Sequence, residues 1–563
     1  MSFDLLIRGG TVVDGTGASP FQGDVAIAAG RIAEVAPTSK KIAGDAKRNI
    51  DAGGLIVAPG FIDPHTHYDA QICWDREITP SAWHGITTVM MGNCGVGIAP
   101  CRPDARAIAS ADLVNVEAIP QDALNRGITW DWVTFPEFMN AAARRRPAIN
   151  LAFLAPLTPF RHFVMGEASM ERAATEEETR RIAAQLREAL EAGAFGFTTT
   201  LLAQHIGYQG RPLASRLASR EELAAYAHVL RDLGRGAIEL ALTQSPGMIS
   251  EAECETLDFL LTESRAKVTW LALLNRDDVP TACLDSLHRA DPLIRRGGVP
   301  QVTCMPLTVQ IDLKNPFLFA DTTTWKPAFN KTVEQQKVLY ASASFRDAAK
   351  EELRQPRIFA GRWDGLTIKE VASPALKALE GKTVGAVARE RRKDGLDTFL
   401  DVAIEDGLAT QFSCALFNAD DARIAELIDD PRTMIGLSDG GAHVDMLCDA
   451  GYATHVLGHW VRERGRLSLE RAIERLTSEP ARFFGITDRG TLAAGKAADI
   501  TVFDPATVGC GQREMVHDLP GGGRRLVVRS RGIETTIVNG EVVYEHGRRA
   551  EGFPGQVLRS GVA

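Results

Sequence analysis

An alternation of strand-like and helix-like segments in the middle of the chain constrains its fold more than any other feature. The runs FGFTTTL (195–201), AIELALTQ (237–244) and VTWLALL (268–274) are short and apolar, as buried strands are. Capping-box patterns at Ser219 and Ser250 open helices between these runs. Repeated β-α units imply a parallel sheet, open or closed, and the apolar strands fit burial on both faces. The middle is therefore predicted to be an α/β domain.

Both ends of the chain differ from this middle and resemble each other. DLLIRGGTVVDG and GDVAIAAGRIAEVAP, near the N-terminus, are β-like runs broken by glycine. Near the C-terminus, Asn539-Gly540 within IETTIVNGEVVYEHG is a strong hairpin signal. We therefore expect one small β domain built from both termini. The predicted boundaries are 1–58 and 486–563 for the β domain, 59–485 for the α/β domain, and 305–395 for an insertion near the active-site face, where the β-α rhythm is lost.

Composition narrows the class of protein. A chain of 563 residues is too long for one small core, which agrees with two domains. The net charge of −9 argues against nucleic acid or an anionic membrane as the main partner. The sequence contains no apolar run long enough to cross a membrane, and MSFDLLIRGG lacks the regions of a signal peptide, so a cytoplasmic location is expected. The nine cysteines are scattered and odd in number, so free thiols are expected.

Two histidines follow an apolar run in the stretch GFIDPHTHYDAQ. The run LIVAPGFID (55–63) is predicted to be one strand that leads into His65 and His67. Residues i and i+2 of an extended chain point to the same side, so both imidazoles can reach one cation. Imidazole suits zinc and similar metals. A turn that happens to contain two histidines is the structural alternative, and these residues alone do not decide between the two.

Two further strand-like runs end in residues that can bind metals. GITTVMMGNCGVG (85–97) ends around Cys94, whose thiolate is a potential ligand and whose alternative role is a small core residue. RTMIGLSDGGAH (432–443) ends around Asp439, for which a helix cap or turn is the alternative. If the middle is a closed (β/α)8 barrel, its first, second and last strands are neighbours, and their carboxyl ends lie on one face. The histidines, the cysteine and the aspartate would then converge.

Longer blocks of the sequence resemble a known superfamily. DLLIRGGTVVDGTG, GLIVAPGFIDPHTH, SDGGAH and GTLAAGKAADITVFDP resemble the amidohydrolase superfamily, and HTHYDAQ with MGNCGVGIAP resembles its N-acyl-D-amino-acid deacylase (D-aminoacylase) branch. The resemblance implies a TIM-type (β/α)8 barrel with a β-sandwich formed by both termini. It implies that His65 and His67 bind a divalent metal and that Cys94 is a metal ligand or bridge. Asp439 would lie at the metal as general base and acid.

The chain departs from the superfamily pattern at two strands. The predicted fifth and sixth strands, AIELALTQ and KVTWLALLN, contain no histidine, and FGFTTTL contains no lysine for a carbamylated bridge. Lys267 lies at the wrong end of its strand. Three interpretations follow: a metal held by His65, His67, Asp439 and Cys94, a replacement ligand from elsewhere, or a site without metal. Zinc is the expected metal, as one ion or two. The replacement candidates are His205, Glu239, Gln244, Asn275 and His443, whereas His455 and His459 are interpreted as structural.

The resemblance implies hydrolysis of the amide bond in N-acylated amino acids, D-configured ones first, or in similar small amides. A metal would activate water, and Asp439 would take its proton and pass it to the leaving amine. One alternative is hydrolysis of a cyclic amide or another small amide or ester, and another is a barrel that binds a small molecule without hydrolysing it. The expected partner is a small-molecule amide, and homo-oligomerisation stays open. The predicted substrate contacts are His205, Arg211, Arg216, Asn275 and His443, with arginine suited to a substrate carboxylate.

Overall fold

The computed structural model describes residues 2–40, 42–319, 322–329, 331–355, 359 and 361–561. The chain divides into two compact units, one formed by residues 1–305 with 421–563 and the other by residues 306–420. The strands are β1 (Ser2–Val12), β2 (Phe21–Ala28), β3 (Arg31–Pro37), β4 (Asp45–Asp51), β5 (Ile56–Pro59), β6 (Phe61–Asp63), β7 (Ile86–Met91), β8 (Asn150–Phe153), β9 (Ala155–Pro156), β10 (Gly196–Thr200), β11 (Ala237–Ala241), β12 (Lys267–Leu271), β13 (Gly298–Val302), β14 (Leu307–Ile311), β15 (Thr367–Glu370), β16 (Gln411–Phe417), β17 (Met434–Ile435), β18 (Ile500–Phe503), β19 (Gly509–Leu519), β20 (Gly523–Arg531), β21 (Ile533–Val538), β22 (Glu541–Glu545) and β23 (Arg548–Arg549).

The helices are α1 (Arg106–Glu117), α2 (Gln121–Gly127), α3 (Phe135–Arg144), α4 (Leu157–Met165), α5 (Glu176–Glu191), α6 (Arg220–Leu233), α7 (Glu251–Ser264), α8 (Ala282–Ile294), α9 (Val333–Ala341), α10 (Ala343–Glu352), α11 (Val384–Arg391), α12 (Gly395–Glu405), α13 (Asp421–Asp429), α14 (Tyr452–His455), α15 (Leu469–Leu476) and α16 (Ser478–Phe484). A π-helix, Val456–Glu463, continues α14. The capping boxes predicted at Ser219 and Ser250 are confirmed: each serine accepts from the third helical N–H, and the glutamate at that position bonds back.

Two parallel sheets form the middle of the larger unit. One has six strands in the order β17-β13-β12-β11-β10-β9, and the other has three in the order β6-β7-β8. β10 pairs with β11, with Gly196 opposite Ala237, and β11 pairs with β12, with Ala237 opposite Lys267. The carboxyl ends of these three strands therefore lie side by side. A parallel bridge between Thr66 and Gly440 links the segments that follow β6 and β17. The side chains at the carboxyl ends of these strands are therefore brought to one region.

Strands from both chain ends form a third, mixed sheet in the same unit. Its order is β23-β22-β21-β18-β5-β1-β2-β3, and β4 pairs with β1. β18, from the C-terminal part, pairs antiparallel with β5 from the N-terminal part. β19 and β20 form a separate two-stranded sheet. Both chain ends therefore contribute to one β structure.

The run LIVAPGFID forms two strands, so the prediction of a single strand is wrong. β5 belongs to the mixed sheet, and β6 belongs to a parallel sheet. Gly60 lies between them, and a Cβ at this position would lie 2.2 Å from Oγ1 of Thr87. The chain therefore passes from one sheet to the other at a position where only glycine fits.

The unit of residues 306–420 has its own small sheet and helices. β14, β16 and β15 form an antiparallel sheet in that order, and α9 to α12 belong to the same unit. Its core is aromatic, with Phe319 stacked on Trp325 at a centroid distance of 3.8 Å. The predicted insertion 305–395 overlaps this unit, which extends further, to residue 420.

Two general expectations can be compared with the structure. All nine cysteines are free thiols, as predicted. None of the helices in the described ranges has the length and apolarity that crossing a membrane requires.

Candidate metal centre

His65 and His67 lie in the segment that directly follows β6. The His67 N–H donates to the Gly440 carbonyl at 2.7 Å, and Oγ1 of Thr66 donates to the Met90 carbonyl at 2.6 Å. These bonds attach the segment to its neighbours on both sides. Both imidazoles are buried, and their Nε2 atoms lie 3.2 Å apart. The i, i+2 spacing thus brings both rings to one point, as expected.

Cys94 reaches the histidines from the turn after β7. The turn has a left-handed backbone, with φ of 82° at Gly92 and 55° at Cys94, and a Cβ at Gly92 would lie 2.2 Å from the Leu154 carbonyl oxygen. The Cys94 N–H donates to Oε2 of Glu239 at 2.7 Å, which anchors the turn on β11. Its Sγ lies 3.5 Å from Nε2 of His65. The strained turn therefore directs the thiol at the imidazoles.

Asp439 approaches from the segment after β17. Its backbone is left-handed, with φ of 49°, and its side chain is 20% exposed. Oδ1 lies 3.2 Å from Nε2 of His65 and 3.5 Å from Nε2 of His67. The preceding Ser438 donates to Oδ2 of Asp63 at 2.6 Å, which fixes this segment against β6. All four predicted ligands are brought together, with the carboxylate on the most accessible side.

The distances from Nε2 of His65 to the other three candidate ligand atoms suit a tetrahedral zinc site. In a tetrahedral zinc site, bonds to nitrogen or oxygen are about 2.0–2.1 Å long and bonds to sulfur are about 2.3 Å long. Two nitrogen or oxygen ligand atoms are then about 3.3 Å apart, and a nitrogen and a sulfur are about 3.5 Å apart. The Nε2 atoms of His65 and His67 are 3.2 Å apart, and His65 Nε2 lies 3.5 Å from Cys94 Sγ. Asp439 Oδ1 lies 3.2 and 3.5 Å from the two nitrogens. The ligand atoms of the two histidines and the cysteine all lie within 4.8 Å of one another.

Buried acceptors hold the far nitrogen of each imidazole. Oε1 of Gln301, on β13, lies 2.9 Å from Nδ1 of His65, and Oε1 of Glu117, at the end of α1, lies 3.2 Å from Nδ1 of His67. Each acceptor favours the tautomer with the proton on Nδ1, which leaves the lone pair of Nε2 facing the common point. Both imidazoles are therefore oriented as metal ligands usually are.

The electrostatics of the cluster favour a cation. Burial opposes a charge on His67, but Glu117 and Asp439 outweigh it and raise its pKa to about 9. Burial also opposes a charge on Asp439, yet hydrogen bonds from the two histidines in their protonated form, together with their positive charge, hold its pKa well below the usual value. Burial first, and then the negative charges of Glu239 and Asp439, raise the pKa of the Cys94 thiol. Without metal, a proton on His67 balances the carboxylates. A divalent cation would replace that proton and favour the thiolate.

Glu239 on β11 is a carboxyl group beside the metal centre and one of the predicted replacement ligands. It is fully buried, and desolvation raises its pKa to about 7. Oε1 has no hydrogen-bond partner in the described chain and lies 3.9 Å from Nδ1 of His65. Because Nδ1 is the far side of that ring, Glu239 lies behind the ligands and supports the Cys94 turn.

The predicted substrate contacts lie in different surroundings. His205 is half-buried, and burial first, then the nearby charges of His443 and His67, lower its pKa to about 3. Arg216 donates to the His205 carbonyl at 3.0 Å, so it belongs to the same neighbourhood. Arg211 instead pairs with two exposed glutamates, Glu167 and Glu171, at 3.4 and 3.3 Å. Asn275 is buried and donates to the Pro280 carbonyl at 3.5 Å.

The roles of Glu117 and Gln301 beside the histidines were not predicted from the sequence. Gln301 had a usable signal, because it is a polar residue within the apolar run GGVPQVTC. Glu117 had none, since a glutamate near a helix end ordinarily faces solvent. Of the other replacement candidates, Gln244 accepts from the Ala203 N–H at 3.0 Å and is exposed.

Comparisons with known proteins agree on one family. The amidohydrolase family matches residues 48–272 and 365–544. An uncharacterised protein of Mycobacterium tuberculosis is 30% identical, and the alignment covers 100% of this chain and 95% of that protein. The D-aminoacylase of Alcaligenes xylosoxydans xylosoxydans is 28% identical over 98% of this chain and 96% of its own length.

A solved structure gives the same result. The crystal structure of N-acyl-D-glutamate deacylase from Bordetella bronchiseptica, complexed with zinc and a phosphonate inhibitor, is 25% identical, with a TM-score of 0.66 and 100% of both chains covered. The resemblance to the D-aminoacylase branch is therefore confirmed. This chain belongs to the amidohydrolase family and is a hydrolase that acts on carbon–nitrogen bonds other than peptide bonds.

Proposed function

We propose that the protein hydrolyses the amide bond of N-acyl-D-amino acids with a single divalent metal, and that Asp439 is the general base and acid. The observation that carries this proposal is the convergence of two buried imidazoles and a thiol, whose ligand atoms lie within 4.8 Å of one another, with the Asp439 carboxylate 3.2 and 3.5 Å from the two imidazole nitrogens. The D-aminoacylase, the N-acyl-D-glutamate deacylase and the N-acyl-D-aspartate deacylase of Alcaligenes xylosoxydans xylosoxydans, which are 28–29% identical, support the substrate class.

The fold we propose for the larger unit is a (β/α)8 barrel with a β-sandwich formed by both termini. Two links between the parallel sheets support closure. At one edge, Thr66 bridges to Gly440, and at the other the Phe195 N–H donates to the Phe153 carbonyl at 2.8 Å. β8 and β9 then act as one interrupted strand. The metal centre would lie at the carboxyl face of such a barrel, where active sites of this fold occur.

The metal we propose is one zinc ion, bound by His65, His67 and Cys94 with Asp439 beside it. Imidazole and thiolate ligands favour zinc. The related N-acyl-D-glutamate deacylase was solved with zinc, and a related D-aminoacylase has a binuclear centre with one-metal activation and second-metal attenuation. In this chain β11 and β12, AIELA and KVTWL, contain no histidine. A second ion would therefore have no imidazole from these strands.

Asp439 can perform both proton transfers of amide hydrolysis. A divalent ion at this site would supply polarisation of the scissile carbonyl and a more acidic water. Asp439 would accept the proton of the attacking water and deliver it to the nitrogen of the leaving amine. In the metal-free protein, His65 and His67 hold the pKa of Asp439 well below its usual value, and the positive charge of a bound divalent ion would likewise keep the carboxylate ionised at neutral pH. Oδ1 lies 3.2 and 3.5 Å from Nε2 of His65 and His67, and the Asp439 side chain is 20% exposed.

We propose Arg216 as the partner of the substrate carboxylate. Arg216 lies beside His205, whose pKa is affected by the charges of His67 and Asp439. Arg211, in contrast, is already paired with glutamates. An arginine fork suits bidentate binding of a carboxylate.

A substrate panel tests the function. N-acetyl derivatives of D- and L-amino acids, together with a cyclic amide, are assayed with zinc-loaded protein and with the same protein after chelation. The proposal predicts hydrolysis of the D-derivatives that is lost on chelation and restored by zinc. Activity on the cyclic amide alone, or activity that chelation leaves unchanged, would contradict it.

A further inference from the structure

The larger unit contains a strongly basic cavity. Its volume is about 1080 Å³, and eight of its lining side chains are arginine or lysine. Asp488 is the one acidic side chain among the described residues that line it, and Arg489 holds that carboxylate with two bonds of 3.1 Å. The whole chain carries a net charge of −9, so this concentration of positive charge opposes the average of the protein.

Most of these cations have no carboxylate partner. Lys267 donates to the Arg482 carbonyl at 2.7 Å, Arg235 donates to the Ser560 carbonyl at 2.6 Å, and Arg31 donates to the Gly495 carbonyl at 2.8 Å. Such bonds fix the side chains without neutralising them. Within the described part of the chain, five cations of the cavity lie more than 4.0 Å from any carboxylate oxygen: Arg31, Arg235, Arg265, Lys267 and Arg559.

The positive charges in the cavity repel one another. Burial first, and then the charge of Arg482, lower the pKa of Lys267. The ammonium of Lys267 also lies 5.6 Å from the centre of the Phe483 ring, so an aromatic face supports it from one side. A group of like charges held together by carbonyls and rings costs electrostatic free energy, which a bound anion would offset.

The cavity is separate from the metal centre. Lys267 is the first residue of β12, and Gly236 precedes the first residue of β11, so both line the cavity at the amino ends of these strands. The metal ligands follow the carboxyl ends of parallel strands. A strand of five residues spans about 13 Å, and the two sites therefore lie at opposite ends of the sheet.

We propose that this cavity binds a small molecule bearing phosphate groups with two or more negative charges. Arginine forks match the oxygens of phosphate, and several uncompensated cations call for a multiply charged ligand. A cavity of about 1080 Å³ has room for a molecule the size of a nucleotide. Free phosphate and the phosphate of an organic ester share this chemistry.

Calorimetric titration of the zinc-loaded full-length protein with inorganic phosphate, and separately with ADP, tests the proposal; each titration is run at a fixed ionic strength and repeated at higher salt. We expect saturable binding of one equivalent that weakens as salt is added, because salt screens exposed charges. Tighter binding of ADP would indicate an organic phosphate, and equal binding would indicate free phosphate. Absence of saturable binding of either probe at millimolar concentration would overturn the proposal.

Matched variants locate the bound anion. Lys267→Met and Arg265→Met each remove one exposed cation of the cavity, and each should weaken binding about tenfold or more. Arg180→Met removes an exposed cation outside the cavity, on α5, and should leave binding unchanged. Amide hydrolysis should not change in any of the three. Phosphate affinity equal to wild type in both cavity variants, with their melting temperatures preserved, would place the anion elsewhere and refute the site.

Discussion

Replacing Asp439 by asparagine tests its assignment as the group that moves protons. The amide of asparagine has nearly the shape of the carboxylate and keeps one oxygen that can face the two imidazoles, now 3.2 and 3.5 Å from Oδ1. It cannot accept a proton from water. Loss of a general base typically costs about 10²–10⁴ in rate. At about 1.36 kcal/mol per tenfold change, this raises the barrier by about 2.7–5.4 kcal/mol.

The measurement is kcat and kcat/KM for an N-acetyl-D-amino acid, with metal content determined on the same samples. Because both histidines and Cys94 would still bind the ion, we expect most of the metal to be retained while kcat falls. Asp421→Asn, which changes a partly exposed carboxylate on α13, is the control and should keep full activity. Turnover of Asp439→Asn within threefold of wild type would refute the role of Asp439 as base.

Three other predictions concern the surroundings of the ion. Glu117→Gln should weaken zinc binding by about 10- to 100-fold, measured by competition with a chelator, because the acceptor that orients His67 loses its charge. The pKa of His67 is raised to about 9 in the metal-free protein, so zinc affinity should increase as pH rises toward 9, and zinc binding should release protons in calorimetry. The same raised pKa means that the stability contributed by protonated His67 is fully present below pH 6.5 and is lost as pH rises through about 9. Arg216→Met should raise KM about tenfold or more for substrates with a carboxylate, whereas Arg211→Met should not.

The four candidate metal ligands could be predicted because each is marked by short sequence patterns near it. His65 and His67 are two residues apart at the end of an apolar run, and Cys94 and Asp439 each follow a buried strand. Parallel strands place such positions at one end of a sheet, so three separate segments could be combined without knowing any long-range contact.

The supporting residues could not be predicted for the opposite reason. Glu117 reaches His67 from the last residue of α1, and the direction of that helix depends on packing that no short pattern encodes. Gln301 reaches His65 across the parallel strands. The prediction that LIVAPGFID forms one strand was wrong because nothing in its apolar pattern marks the change of sheet. That change depends on the close approach of Thr87 to Gly60.

Metal content per chain tests the central claim most directly. The protein is loaded with zinc, desalted and measured by elemental analysis, together with the variant that carries both His65→Ala and His67→Ala. The account predicts one zinc per wild-type chain and none in the variant, because the two imidazoles supply two of the three protein ligands. A wild-type protein without zinc, or a variant that keeps a full equivalent, would contradict it.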